Sequence, residues 1–498
     1  MKVKILIILG IFTALLVGCQ ENKSNNTPAV QDDISEVNSS PSKEEHSDQE
    51  LTLTTSKVKW DFGNDIDGEA WTYNGSVPGK EIRLTEGQTL QAKLINKIDA
   101  PVTIHWHGMV LPNEMDGVPG VTQNAVMPGE DFTYTFKPKH SGTYWYHSHQ
   151  QSSSQVDKGL YGPLIIEPKN KSYDQDKVFV LDEWLLNRNS QNGMGMGMGT
   201  HMGNMMSGDT GDMDTQMLYN TFTVNGKTSP DIPPAKFKSE ERVRLRFINA
   251  GYQKHILSLS DQSYKVVALD AQPVKDTAPT TDLLEIAPGE RIDIEFTSTD
   301  SEDWYIQSMD NDSAATDMRI PIQIDEADSN KAVAEIQNRH TVSQTFLESK
   351  DPLFNEDVNA DKTYDMLLGA EMHRGRGLDF TINQEVFPKT PTLNINKDDI
   401  VKVTLSNDSQ FDHPMHLHGH HFQIISKNGE KLDKPIVKDL INVKPNESYE
   451  IIFKADNPGD WVFHCHDLLH AENGMMSLIH YNGYTSPVNI HDETNKPE

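Results

Sequence analysis

Four pairs of histidines, each separated by one residue, punctuate the chain: His105-Trp106-His107, His147-Ser148-His149, His416-Leu417-His418 and His464-Cys465-His466. In an extended strand such a pair puts both imidazoles on one face, roughly 6.6 Å apart at about 3.3 Å per residue. Cys465 lies inside the last pair, so its side chain points to the opposite face of that strand. His470 and Met475 follow it, and His413 precedes the third pair. Imidazole, thiolate and thioether are all transition-metal ligands. Eight neutral imidazoles are too many for one ion and suit a cluster of nitrogen-binding metals, for which copper fits well. The set His413, Cys465, His470 and Met475 offers two imidazoles, one thiolate and a weak thioether, the trigonal arrangement with an axial Met that suits blue copper. The thiolate shares its backbone with His464 and His466, so the two donor sets are covalently joined.

The elements that must position these residues repeat three times. Tyr73-Asn74-Gly75, Val224-Asn225-Gly226 and Ile382-Asn383-Gln384 recur roughly 150 residues apart, which is domain size rather than solenoid size. Each is followed by alternating apolar and polar residues rich in Val, Ile, Thr and Leu, the period-two pattern of half-buried strands. Met127-Pro128-Gly129-Glu130, Ala287-Pro288-Gly289-Glu290 and Lys444-Pro445-Asn446-Glu447 each open a further strand, and each leads to an aromatic segment. No long amphipathic helix competes. The fold class expected is all-β, with three tandem Greek-key β-sandwiches. Counted from Asn96 and Asn407, the histidine pairs of units one and three fall at matching positions, whereas the matching positions after Asn249 hold Ser258 and Ser260. Unit two has Gln307-Ser308-Met309 where the other units have their second pairs. If units one and three pack about a pseudo-two-fold axis, all eight imidazoles converge between them.

The chain has 498 residues and a net charge of −30, with 20 His and 19 Met against only two Cys, Cys19 and Cys465. So acidic a protein repels nucleic acid and anionic lipid and concentrates cations. One cysteine pair cannot build a disulfide framework, and no CxxC exists for structural zinc. Lys2 and Lys4 precede an apolar run from Ile5 to Val17 that is too short to span a bilayer and has the shape of a signal peptide. It ends Leu16-Val17-Gly18-Cys19, which resembles a bacterial lipobox and implies lipidation at Cys19. The polar stretch that follows lacks large apolar residues and reads as a solvated tether.

At this point the four signatures, His105-Trp106-His107-Gly108, His147-Ser148-His149, His413-Pro414-Met415-His416-Leu417-His418-Gly419 and His464-Cys465-His466 through Met475, resemble those of the multicopper oxidases over the whole folded body. The resemblance implies three cupredoxin domains and four copper ions. Type 1 copper would use His413, Cys465, His470 and Met475. Type 2 copper would use His105 and His416, and the type 3 pair His107, His147, His149, His418, His464 and His466. It also implies oxidation of substrate at the type 1 site coupled to reduction of O2 to water at the trinuclear cluster. Met115-Asp116-Gly117-Val118-Pro119-Gly120 and Gly159-Leu160-Tyr161-Gly162-Pro163-Leu164 resemble the bacterial copper-resistance oxidases, in which the residue matching Asp116 helps supply protons. Where some bacterial members carry a glutamate after the type 1 histidine, this chain has Ala471. Glu472, one position on, is then the candidate second proton carrier, provided that its side chain faces the cluster.

The expected layout is a signal peptide at 1–18, a tether at 19–50, sandwiches at 51–170, 171–335 and 336–485, and a tail at 486–498. Unit two carries a Met-rich insertion at 193–217, with Met194, Met196, Met198, Met202, Met205, Met206, Met213 and Met217 among Gly, Ser, Asp and Thr. Thioethers prefer Cu(I), so the tract reads as a collector of Cu(I) for the type 1 site, against the blander reading of a surface-loop insertion. His420 and His421 read as neighbours of ligands rather than ligands, and His255, which aligns with His413 but has no accompanying Cys, as structural. The activity expected is oxidation of Cu(I) to Cu(II) by O2 in copper tolerance, by a monomer anchored to the outer face of a bacterial membrane. The rivals are a laccase acting on small aromatic reductants, phenols or amines, and a copper-binding protein without turnover.

Overall fold

The computed structural model describes residues 47–186, 219–298, 304–310, 312–325, 340–344, 347–355, 358–373, 377–490 and 494–497. Cys19 and the Met-rich tract lie outside the described residues. Three β-sandwiches follow one another, each made of two facing sheets. In the first, strands Gln49–Gly63, Ile66–Tyr73, Leu90–Ile95 and Asp131–Phe136 face strands Ile82–Thr85, His105–His107, Gly142–His147 and Tyr161–Glu167. The second and third each pair a six-stranded with a five-stranded sheet. The opening strand Gln49–Gly63 already pairs with Leu90–Ile95 at Gln49, so the order begins inside the segment expected to be tether.

The three units share one connectivity. In each, the opening strand runs parallel to a later one: Gln49 opposite Leu90, Gln175 opposite Val243, and Lys362 opposite Val401. Parallel neighbours cannot be joined by a hairpin, so between these two strands the chain crosses to the facing sheet and returns, as in a Greek key. Ile400–Asn407 alternates strictly between buried and half-buried positions, as its period-two sequence requires. Gly142–His147 does not alternate, because all six residues are buried. One face (Tyr144, Tyr146) enters the core of its own sandwich. The other (Trp145, His147) is covered by the third unit, where His466 packs against both rings.

Two asparagines per unit act as internal clamps. Asn74, Asn225 and Asn383 sit at positive φ, and each spans the opening strand of its unit. Asn225 Oδ1, for example, accepts from the Val180 N–H (2.8 Å) while its Nδ2 donates to Val178 O (2.9 Å). Asn96, Asn249 and Asn407 close the next strand. Asn407 Nδ2 donates to Phe411 O (2.7 Å) and Val443 O (2.8 Å), and its Oδ1 accepts from the Ser409 N–H (2.8 Å). Asn96 and Asn249 tie the equivalent loops in the same way. These loops deliver the chain to the histidine strands. Because Asn407 satisfies three backbone groups at once, Asn407→Ala should lower stability by about 1–3 kcal/mol, read as a fall in the urea midpoint of the metal-free protein.

Candidate metal centre

Register brings the histidines together. His105 lies opposite His147 across one antiparallel pair, and His416 lies opposite His464 across the other. In the middle unit the matching partners are Ser258 and Gln307. Units one and three face each other so that His105 stacks on His418 (ring centroids 3.9 Å apart) and His107 on His416 (3.8 Å). Within the pairs the centroids are 5.8, 5.9, 4.8 and 5.8 Å apart in chain order. All eight rings are buried.

Ring orientation shows what the chamber is for. Nδ1 of His105 lies 2.8 Å from Asp116 O, that of His147 2.9 Å from Ser148 O, and that of His416 2.9 Å from Asp439 O. Nδ1 of His464 lies 2.9 Å from Cys465 O and that of His418 2.8 Å from Asp116 Oδ2. A carbonyl or ionised carboxylate can only accept, so Nδ1 carries the proton and Nε2 presents a lone pair inward. The buried Nε2 atoms of His105, His107, His147, His416 and His466 have no hydrogen-bond partner. Nε2 of His418 and of His464 point at each other at 3.0 Å. Leaving so many polar atoms unsatisfied costs about 1–3 kcal/mol each, a cost that bound metal ions remove. The donors of His149, His418 and His464 lie within 4.8 Å of one another, as do those of His105, His416 and His418, and those of His105, His107 and His147.

The second donor set lies on the other face of the Asp460–Cys465 strand. Cys465 Sγ is 3.8 Å from His413 Nδ1 and 3.6 Å from His470 Nδ1, and the two nitrogens are 3.2 Å apart. Cys465 forms no disulfide. Ser409 Oγ holds His413 Nε2 at 2.8 Å, and Phe380 stacks on His470 at 3.7 Å. His470 rides on the short Leu468–Glu472 helix, whose N-cap, Asp467, accepts from the N–H groups of Leu469 and His470. Met475 is fully buried, with its N–H bonded to His470 O (3.0 Å) and its carbonyl to the Cys465 N–H (3.0 Å). Thiolate and two imidazoles at these separations form a nitrogen–sulfur pocket for one soft or borderline ion.

Sequence profiles of the multicopper oxidases match three tandem stretches, residues 54–171, 178–324 and 357–482. The chain belongs to this family. It is 29% identical over 461 residues to multicopper oxidase MmcO of Mycobacterium tuberculosis, with 86% of each chain covered. It is 26% identical over 532 residues to a copper resistance protein A homolog of Pseudomonas syringae, covering 82% of this chain and 88% of that one. The crystal structure of a multi-copper oxidase from Pseudomonas thermotolerans superposes with a TM-score of 0.67 at 27% identity, covering 87% of this chain and 99% of that one. The protein is thus a copper-dependent oxidoreductase with O2 as acceptor and four copper ions as cofactor. The inward lone pairs and the thiolate pocket suit that group.

Around the donors of this multicopper oxidase, two aspartates play matching parts. Asp116 of unit one holds His105 with its carbonyl and His418 with its carboxylate. Asp439 of unit three holds His416 with its carbonyl and sets Oδ1 3.7 Å from His107 Nε2. Burial alone would raise the Asp439 carboxyl, but the Arg291 guanidinium overrides it and holds Asp439 ionised, far below the usual carboxylate range. Arg291 is buried and bidentate, with Nη1–Oδ1 at 2.8 Å and Nη2–Oδ2 at 2.5 Å. It comes from the unit without metal ligands. A side chain at Gly108 would collide with it, which is why the first histidine pair is followed by glycine. Asp439 and Arg291 were not singled out in the sequence. The signal available was Arg291 following Pro288-Gly289-Glu290, where units one and three have Asp131 and Ser448.

His420 Nδ1 lies 3.1 Å from His418 O and its Nε2 2.6 Å from the Tyr481 hydroxyl, so it supports a ligand strand. His255 sits between Asp310 (3.0 Å) and Glu183 (3.3 Å). Burial would lower its pKa, but the bonds to these acids raise it to about 10, and an imidazolium ion pair stands where unit three has His413. Glu472 as a second proton carrier is a correction: its side chain is exposed and accepts from Ser153 Oγ (2.6 Å), while Ala471 is the buried residue. One step along a helix rotates a side chain by about 100°, enough to turn it from chamber to solvent.

Burial lowers the pKa of His149 and His413 to about 3 and drives His107, His147, His418, His464, His466 and His470 well below 6.5. These groups are neutral, ligand-ready imidazoles at pH 7. Above about 6.5 folded and unfolded chains bind the same protons at these sites. As the pH falls from there toward about 3, only the unfolded chain takes them up. The metal-free protein should therefore lose stability steadily across that window. A urea midpoint that stays level from pH 6.5 down to about 4 would contradict it.

Proposed function

We propose that this multicopper oxidase converts Cu(I) to Cu(II) at the expense of O2, outside the cytoplasm, as a monomer tethered by lipid at Cys19. The donor assignment is His413, Cys465, His470 and Met475 for type 1; His105 and His416 for type 2; and His107, His147, His149, His418, His464 and His466 for the type 3 pair. Bound copper supplies one-electron transfer at the first set and four-electron reduction of O2 at the second. The chain does the rest. His413 and His470 are closed in by Phe380 and Phe411, which keeps water from the thiolate. Cys465 joins the two sets through its own backbone. Asp116 has one carboxylate oxygen on His418 and the other, Oδ1, buried 3.3 Å from His105 Nδ1, which supports the reading of it as the acid that passes protons to the cluster.

The observation that carries Cu(I) as substrate is where the Met-rich tract is rooted. Leu186 and Tyr219, which flank residues 187–218, are buried in one apolar cluster with Leu468 and Leu469, the two residues before His470. Asn220 binds both the N–H and the carbonyl of Leu186 (3.0 and 2.7 Å), closing the base of the tract. A tract of thioethers whose flanking residues share an apolar cluster with the neighbours of His470 would raise the local concentration of Cu(I) at the type 1 set. The copper-resistance name of a relative agrees with this reading.

Deleting 193–217 should lower O2 uptake with Cu(I) on the order of tenfold while leaving phenol oxidation and blue colour in place. Equal losses with both substrates refute a role for the tract. Cys19→Ala should move the active protein from the membrane fraction to the soluble exported fraction, and persistence in the membrane would remove the lipid anchor from the proposal.

A further inference from the structure

The segment after the last strand of the third sandwich, Met476–Tyr481, returns to the first. Pro497 O lies 2.6 Å from Nδ1 of His149. Five other cluster rings have Nδ1 held at similar distance, by Asp116, Ser148, Asp439 or Cys465. All of those acceptors lie within the sandwiches, next to the ligands themselves. His149 alone among these six takes its acceptor from a segment beyond the last strand.

That segment is gripped from both sides. The Gln150 side chain holds it like tongs, with Nε2 donating to Thr494 O (3.0 Å) and Oε1 accepting from the Lys496 N–H (3.0 Å). The Gln151 N–H donates to Lys496 O (3.0 Å). Asn495 Oδ1 accepts from the Ala125 N–H (2.8 Å), and its Nδ2 donates to Asn124 Oδ1 (3.0 Å). Gln150 is 1% exposed, so its amide is committed to this task. Residues 494–496 are thus fastened to the first sandwich immediately before the carbonyl that meets His149.

We infer that residues 494–497 are a strap that positions a type 3 ligand: Pro497 O fixes the tautomer and plane of His149, and the type 3 pair is fully held only with the strap in place. This rests on the reading of His149 as a copper ligand. A carbonyl that accepts from Nδ1–H leaves Nε2 as the donor and restrains rotation of the ring. Losing such an outer partner typically weakens metal binding ten- to a hundred-fold. Pro497 is a positioning residue acting through its backbone, so no side-chain change at 497 removes the contact.

Three variants, each prepared as the otherwise complete, copper-loaded protein, test the inference. One ends after Tyr484. A second, Gln150→Leu with Asn495→Ala, loosens the grips without shortening the chain. A third, His149→Ala, tests the ligand itself. Copper per chain is titrated against a chelator, and blue absorption and the spectroscopic signature of the coupled pair are recorded. The first two variants should keep type 1 colour and bind type 3 copper roughly ten- to a hundred-fold more weakly, with His149→Ala losing it. The strap is overturned if both bind type 3 copper as tightly as the parent while His149→Ala does not. It is equally overturned if type 1 and type 3 copper are lost together, since that marks a general loss of fold. If His149→Ala retains all four coppers, the ligand assignment fails and the strap with it.

Discussion

Eight imidazoles must be kept neutral, dry and aimed at one another, and the structure is arranged around that requirement. Six of the rings have an acceptor behind Nδ1, and Nε2 needs a low-dielectric chamber in front of it. A single sandwich cannot provide the chamber, because the open face of a sheet is wet. Two sandwiches placed face to face do. The strands that carry the histidines become buried on both sides, and backbone carbonyls and the two aspartates fill the outer positions. Rings held apart from water with lone pairs converging form an unfavourable arrangement on their own. It becomes favourable when metal ions occupy the centre, so folding and copper binding are coupled.

The middle sandwich carries no ligands yet closes the chamber. Arg291 reaches out of it to neutralise Asp439, and that pair lets a carboxylate sit beside His107 and His416 without leaving an uncompensated buried charge. Arg246 of the same unit bonds Thr143 Oγ1 and Asp293 (both 2.8 Å), bracing the strand that ends in His147. Where unit three has His413, this unit keeps His255 between two carboxylates. An ion pair stands there, and the unit acts as a wall.

Much of this was legible from residue order. The period-two strands, the three asparagine landmarks and the absence of His-x-His pairs from the middle unit led to three sandwiches and to one shared cluster, because strand periodicity and repeat spacing are local properties written directly into sequence. The convergence of these donors was legible for the same reason: His-x-His on a strand fixes which face each ring takes, and Cys465 between two of them had to face the other way. Glu472 was misplaced because its direction depends on helix rotation and on Ser153, a partner more than 300 positions away.

What the sequence determined, then, was the inventory: which residues can bind copper, how many strands carry them, and which unit carries none. Only the tertiary structure decided the supports. The pairing of Arg291 with Asp439, the carbonyl of Pro497 behind His149, and the gathering of Leu186, Tyr219, Leu468 and Leu469 in one apolar cluster join segments far apart in the chain. Their chemistry is ordinary, an arginine, a carbonyl and some apolar side chains, so residue type alone gives no signal. They acquire their roles when packing brings them against a buried ring, where a hydrogen bond or a charge counts for far more than it does in water.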